Sequence, residues 1–345
     1  AAVGEPGLVA SFLDDADRAY RAFTERIVQA THDADPHWSR VQTGAGLLRL
    51  CALPRLLHLF RALPPEATEK FAREADEATL DAYERILTAK LTTLPQQTQA
   101  ALPIRLGGIG LLRFRNLRAQ AWLSSWLATL PGVRRLGGAG VATKDVIQAG
   151  NEEWAASLLT AVEDLAADDV HLDQAGQVCA EEPAAPWSWE DGAPALARRQ
   201  RHLSRRRAGV PRQRLLDSLP RGGKQAARLR SCGGPGAGGW LLVAPTAAAT
   251  RLTDTEFKVC ARLRLRIPLH LCEVGTRCRN RRGGEDGTEC PDTAECLKPL
   301  DADGFHALTC LVGGLVIRRH HAIRDLFATI GREAGYAEVF EPSWT

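Results

Sequence analysis

From Val9 onward apolar side chains return about every three to four residues: Phe12, Leu13, Ala16, Tyr20, Phe23 and Ile27, with Asp14, Asp15, Asp17 and Arg18 between them. That period puts the apolar set on one stripe and predicts a helix with one buried face. The next segment, AGLLRLCALPRLLHLFRALPP, is apolar almost all round and carries Pro54 in its middle. It predicts a buried helix pair or a kinked helix at the centre of an N-terminal core. In PPEATEKFAREADEATLDAYERILTAKL, Pro64, Pro65 and Glu66 suit a first helical turn, and Phe71, Ala75, Ala78, Ala82 and Ile86 fall on one stripe.

A Pro and Gly-rich turn follows at ALPIRLGGIGL, then a helix bearing Leu117, Ala121, Trp122 and Ser125 that Pro131 is expected to close. LGGIGL lacks the Lys and the Ser or Thr of a phosphate-binding loop, so its glycines are read as serving the backbone. Residues 132–197 mix Gly, Ala and acidic residues, with a helix expected around 145–167 and a linker near PAAPWSWEDGAPA. The flexible break SCGGPGAGGW precedes LTDTEFKVCARLRLRI, a helix with its N-cap at Thr253 or Asp254. RRHHAIRDLFATIGREAG predicts a last amphipathic helix, with Ile323, Leu326, Phe327 and Ile330 inward and Gly335 as its stop.

The pattern as a whole is mainly α: a multi-helix N-terminal bundle, an Arg-rich helical linker, and a small irregular Cys/His module with a terminal helix. The expected divisions are 1–131, 132–197, 198–270 and 271–345. At 345 residues the chain can bury a sizeable core, and apolar content of 45% with charged content of 25% is that of a globular protein. No run of about 18 apolar residues is present to span a membrane, so no membrane partner is expected. Ala1 comes first, Met is absent throughout, and the opening residues do not form a signal peptide. The chain is therefore expected to be an internal piece of a longer intracellular product, cytoplasmic or nuclear.

Net charge is only +3, but it is segregated. Residues 151–197 hold no Lys or Arg, whereas 196–230 hold twelve basic residues against the single acid Asp217. Arg198, Arg199, Arg201, Arg205, Arg206 and Arg207 fall within ten positions. Guanidinium groups at that density suit contacts with the phosphates of DNA or RNA. The competing reading is a self-neutralising scaffold or interaction protein in which the acidic segment folds onto the basic one. No small-molecule substrate is expected.

Nine cysteines without a secretory signal argue for reduced thiols and metal ligation, and six of the nine fall between Cys260 and Cys310. Zinc takes four thiolate or imidazole ligands in a tetrahedron. Cys296, His306 and Cys310 offer three: the gap of nine residues closes a loop, the His and Cys four apart meet at a turn, and Gly304 favours tight geometry. Cys290 and Cys278 are both available as the fourth. The pairs 272 with 278 and 290 with 296 each enclose five residues, more than the two to four of about the shortest sites. His320 and His321 share a polar helix face with Arg319, Arg324 and Asp325, which favours nucleic-acid contact over acid–base catalysis. No paired carboxylates sit in a strand-turn-strand context; Asp14 and Asp15 lie on the polar side of a helix.

In their order along the chain, LLRLCALPRLLHLFRALPP, LPIRLGGIGL, GPGAGGWLLVAPT with its following EF, C…LDADGFHALTC, VGG and RRHHAIRD resemble the C-terminal region of non-LTR retrotransposon reverse transcriptases of the restriction-like-endonuclease type. The resemblance implies that 1–131 is thumb-like, following a polymerase palm, and that 271–345 is a zinc knuckle with the truncated start of a nuclease. It implies zinc on Cys296, His306 and Cys310, with Cys290 as the fourth ligand. It also matches Arg319 and His320 to an Arg-His pair at the start of the nuclease's first helix, His321 standing where Asn is commoner. The catalytic aspartates of the palm and the nuclease metal site would lie outside the chain, with Glu341 a first piece of the latter. The expectation is a nucleic-acid-binding, zinc-stabilised fragment that is catalytically inert alone, from a parent RNA-directed DNA polymerase.

Overall fold

The structure is a computed structural model, and it describes residues 6–33, 39–136, 152–172, 178–179, 199–269, 275–281 and 295–333. The fold is mainly helical, and the chain divides into two compact units, 1–267 and 268–345.

In the first unit, α1 (Pro6–Asp33) lies against α4 (Glu69–Leu87), and between them in sequence come α2 (Arg40–Leu47) and α3 (Leu53–Ala62). The stripe on α1 is Leu13, Tyr20, Ile27 and Val28, all buried. Phe12, expected inward, is 54% exposed. One residue is about 100° of helix, so Phe12 is turned off the face that Leu13 shares with Tyr20. On α4 all five expected residues are buried, although Pro64 and Pro65 precede the helix in a turn instead of opening it. The kink expected at Pro54 is a π-helical stretch, Leu48–Ala52, that joins α2 to α3. Proline has no N–H for the carbonyl one turn back, and the amide of Leu53 bonds instead to Leu48 O, five residues away.

Tyr20, Phe60, Phe71 and Phe114 meet where these helices converge, with ring centroids 5.4 to 5.8 Å apart. Each buried ring contributes about 1.5–3 kcal/mol of transfer free energy. The Tyr20 hydroxyl shares a hydrogen bond of 2.8 Å with Thr79 Oγ1, so its polar end is also satisfied.

A short helix not predicted from the pattern, α5 (Leu94–Ala101), is fixed by a capping box between Thr93 and Gln96. It leads into the LGGIGL turn. Gly107 and Gly110 have φ of 96° and 87°, and a Cβ on Gly108 would stand 1.9 Å from Leu102 O. The turn is held by the buried guanidinium of Arg264, which donates to Gly108 O at 2.9 Å, Ile104 O at 2.7 Å and Ala237 O at 3.2 Å. Arg264 belongs to α11 (Asp254–Leu265), whose N-cap is Thr253 in a capping box with Glu256.

The helix α6 (Phe114–Leu136) starts where Asp76 of α4 accepts from the backbone N–H groups of Phe114 at 2.5 Å and Arg115 at 3.4 Å. It runs through Pro131, which was expected to end it. An internal proline costs a helix about 3 kcal/mol, and the packing of Trp122, Leu123 and Leu127 along α6 carries it past that point.

A second core gathers those residues with Leu158, Ala161 and Leu165 of α7 (Glu152–Ala166), Val170, and Leu203 of α8 (Arg199–Asp217). The helix expected around 145–167 is thus α7, packed into this core, and the segment also holds an antiparallel strand pair, β1 (His171–Leu172) with β2 (Val178–Cys179). PAAPWSWEDGAPA lies outside the described residues. The first unit also contains α9 (Lys224–Ser231) and the single turn α10 (Gly239–Leu242).

The second unit holds α12 (Phe305–Thr309) and α13 (Leu315–Glu333). Ile323, Leu326, Phe327 and Ile330, expected inward, are all at least half exposed. The period of α13 was read correctly, but a stripe does not by itself supply the surface that covers it. Gly335 and Glu341 lie outside the described residues.

Candidate metal centre and basic surfaces

Cys278, Cys296, His306 and Cys310 each point one ligand atom into a common space, all four atoms within 4.8 Å of one another. Local backbone pairing explains the gathering. Cys278 N donates to Lys298 O, Leu297 N to Cys278 O, Cys296 N to Asn280 O and Leu300 N to Thr276 O, so 276–280 runs antiparallel to 296–300. That register sets Cys278 beside Cys296.

The other two ligands come from α12 and its end. Gly304 takes φ of 72° at the N-cap, and Asp301 accepts from the amides of Phe305 at 2.8 Å and His306 at 2.6 Å. A Cβ on Gly304 would meet Leu269 Cδ1 at 2.6 Å. One turn later Cys310 leaves the helix in extended conformation with its sulfur turned back. Gly313, with φ of 81°, brings the chain so close to Arg281 O that a Cβ would lie 2.8 Å from it.

Cys278 Sγ and Cys310 Sγ are 3.8 Å apart, and Cys296 Sγ is 3.4 Å from His306 Nε2. A disulfide would need about 2.05 Å. A tetrahedron with metal–sulfur bonds of about 2.3 Å and metal–nitrogen bonds of about 2.0 Å separates its sulfurs by about 3.8 Å and sulfur from nitrogen by about 3.5 Å. The donor set and its spacing therefore fit one metal ion. Burial pushes the Cys278 thiol up. Cys310 is also acted on by burial, but hydrogen bonds with Asn280, the Val312 backbone and the sulfurs of Cys296 and Cys278 outweigh it and bring its thiol below the usual range. Within this pair Cys310 is the first to become thiolate, the form that binds metal.

Of the expected ligands, Cys296, His306 and Cys310 are together; Cys290 lies outside the described residues, as does Cys272. Among the described residues, the cysteine that stands with the three is Cys278, the other of the two candidates for the fourth ligand. The strand pairing that selects it is not visible in cysteine spacing.

The basic run divides. Arg205 and Arg206 are exposed on α8, Arg199 and Arg201 lie on that helix, and Arg198 is outside the described residues. Arg207 is not part of the exposed surface: it is 6% exposed, with Nε 2.7 Å from Asp168 and Nη1 2.9 Å from Asp164. Nη1 also donates to Asn116 O, which ties α8 to α6 and α7. Arg214 reaches Asp168 and Asp169 at 3.7 and 3.5 Å. A buried charge must be paired, and the acidic segment supplies the partners. On α13, Arg319 and His320 are exposed, Arg319 donates to Leu308 O, and Arg324 pairs with Asp325 at 2.7 Å.

No family model, no curated protein and no solved structure matches the chain. Its own fold and side chains define a mainly helical protein with a Cys3His cluster that could hold a metal ion. No helix among the described residues is long and apolar enough to cross a membrane.

Proposed function

We propose that the chain is a nucleic-acid-binding, zinc-stabilised piece of a retrotransposon reverse transcriptase and endonuclease polyprotein, without catalytic carboxylates of its own. The observation that carries the binding is the partition of α8: Arg207 is neutralised by Asp164 and Asp168, while Arg205 and Arg206 face solvent. Three thiolates and one imidazole suit zinc among the common divalent ions, and zinc would tie 276–280 and 296–300 to α12. The parentage is supported by the order of the sequence motifs. Exposed Arg319 adds a cation on α13, and exposed His320 a hydrogen-bonding ring beside it.

Fluorescence anisotropy with a labelled DNA duplex and a labelled single-stranded RNA tests the binding. Affinity should fall linearly with salt on logarithmic axes, by about 0.7 to 0.9 per phosphate neutralised. Binding that ignores salt, or no binding at low salt, contradicts it.

A second reading, a zinc-stabilised scaffold with intramolecular pairing of acidic and basic segments, is favoured by the contacts of Asp168 and Asp169 with Arg207 and Arg214. Asp169→Asn separates the two, because it removes one of the two carboxylates that the exposed Arg214 reaches. On the scaffold reading the wild type binds no nucleic acid and the variant gains binding; on the first reading the wild type already binds.

A further inference from the structure

A cleft of about 370 Å³ opens between α5, the turn after it, the start of α6 and α8. Its size is that of a small-ligand site. Leu102, Pro103, Leu112, Leu117 and Pro211 give it an apolar wall. Arg105, Arg113, Arg205 and Arg207 also line it, and among the described residues no carboxylate does. Arg207 is already neutralised from behind by Asp164 and Asp168, so the positive charge the cleft can offer a ligand rests on Arg113 and Arg205.

Two of its side chains lack what their chemistry requires. Gln120, 2% exposed and part of the lining, has a buried Oε1 that accepts no hydrogen bond among the described residues. Leaving such an acceptor unmet carries the full desolvation cost of the group. Arg113 is half-buried, and its guanidinium is shifted down by burial first and by neighbouring Arg115 second. Asp76 is the one carboxylate acting on it, and that group is already engaged by the amides of Phe114 and Arg115 and by the Arg115 side chain at 3.4 Å.

A ligand that completes this cleft carries an anion for the guanidinium groups, a ring for the apolar wall, and an N–H for Gln120. We infer that the cleft between α5, α6 and α8 binds one nucleotide, its phosphate on Arg113 and Arg205, its base against Leu117 and Pro211, and a base N–H donating to Gln120 Oε1. Arg binds phosphate in bidentate fashion and stacks on planar rings, which suits both ends of such a unit. A phospholipid head would satisfy the cations but leave the amide unmet. The nucleotide can come free in solution or as a unit turned out of a strand, at the cost of unstacking it. The second source rests on the strand-binding reading above; the first does not.

Calorimetric titration of the full chain with AMP, CMP, GMP and UMP, with ribose 5-phosphate and inorganic phosphate as base-free probes, tests the site. In parallel, anisotropy reads a single-stranded oligonucleotide. At least one nucleoside monophosphate should bind about tenfold or more tightly than ribose 5-phosphate, and Gln120→Leu should remove that preference while leaving thermal stability equal or higher. Arg113→Gln should weaken nucleoside monophosphate and ribose 5-phosphate alike. Oligonucleotide binding weakened by Gln120→Leu, without binding of free monophosphates, supports the site with the strand as its source. Equal binding of all phosphates, or a preference untouched by Gln120→Leu, overturns the inference. Oligonucleotide binding indifferent to Gln120→Leu, with no monophosphate bound, overturns the nucleotide site and spares the strand-binding surface. Monophosphate binding with no oligonucleotide bound does the reverse.

Discussion

Cys278 and Cys310 hold their sulfurs 3.8 Å apart across thirty-two positions of sequence. The contact is made by two separate devices: an antiparallel pairing that aligns Cys278 with the segment containing Cys296, and a single helical turn that returns Cys310 beside His306. The 268–345 unit contains few long elements to bury one another. A metal held by both devices would supply the cross-link that its core does not, since binding energy at such a site is folding energy.

Arg207 and its neighbours on α8 should separate by stability and by binding. Arg207→Met, which takes the cation from half-exposed Asp164 and leaves Asp168 only Arg214, should cost about 2 kcal/mol in urea unfolding. Arg205→Gln and Arg206→Gln should change stability by about 0.5 kcal/mol or less while weakening nucleic-acid binding. Equal destabilisation by all three would erase the distinction between buried and exposed arginines.

Asp76 should give the first unit a pH dependence of definite sign. Burial pushes its carboxyl up to about 6, against the opposing amides of Phe114 and Arg115. Because the folded value lies above the ordinary 3.8, the contribution from Asp76 is full below that value and is lost as pH rises through about 6. Asp76→Asn keeps an acceptor for the start of α6 and should flatten this part of the stability profile. A slope of unchanged size in the variant would assign it to other groups.

At Gly108 a Cβ would lie 1.9 Å from Leu102 O and 2.5 Å from Gln99 O, both backbone atoms that cannot swing away. Gly108→Ala should therefore destabilise by about 2 kcal/mol or more. Gly132→Ala, with open space at the same position, should be neutral or slightly stabilising, as helix propensity favours Ala. Thermal melts of the two variants make the comparison.

The apolar stripe of α13 gives an expectation opposite to that of the pattern alone. With Phe327 69% and Leu326 59% exposed, Phe327→Ser and Leu326→Gln should leave the melting temperature within about 2 °C of wild type and raise solubility. A loss of several degrees would mean that these side chains are buried in solution.

Much of the helical frame was legible because its signals are local. The stripe of Phe71, Ala75, Ala78, Ala82 and Ile86, the cap at Thr253 and the structural role of LGGIGL all depend on residues close in sequence. What escaped the pattern depends on distant partners. Asp76 starts a helix thirty-eight residues away, Arg207 finds its acids about forty residues upstream, and it is strand register, not spacing, that brings Cys278, one of the two candidate fourth ligands, to the cluster. Pro131 misled for a related reason, since a local breaker yielded to a helix whose preceding turns are packed through Ala119, Trp122, Leu123 and Leu127.

Four side chains forming one metal site can be read directly by native mass spectrometry of the purified full chain. One zinc per chain is expected, retained in Cys272→Ser and Cys290→Ser and lost in Cys278→Ser, Cys296→Ser and Cys310→Ser. Zinc lost from Cys290→Ser and kept by Cys278→Ser, or a wild-type chain that folds and binds none, would contradict it.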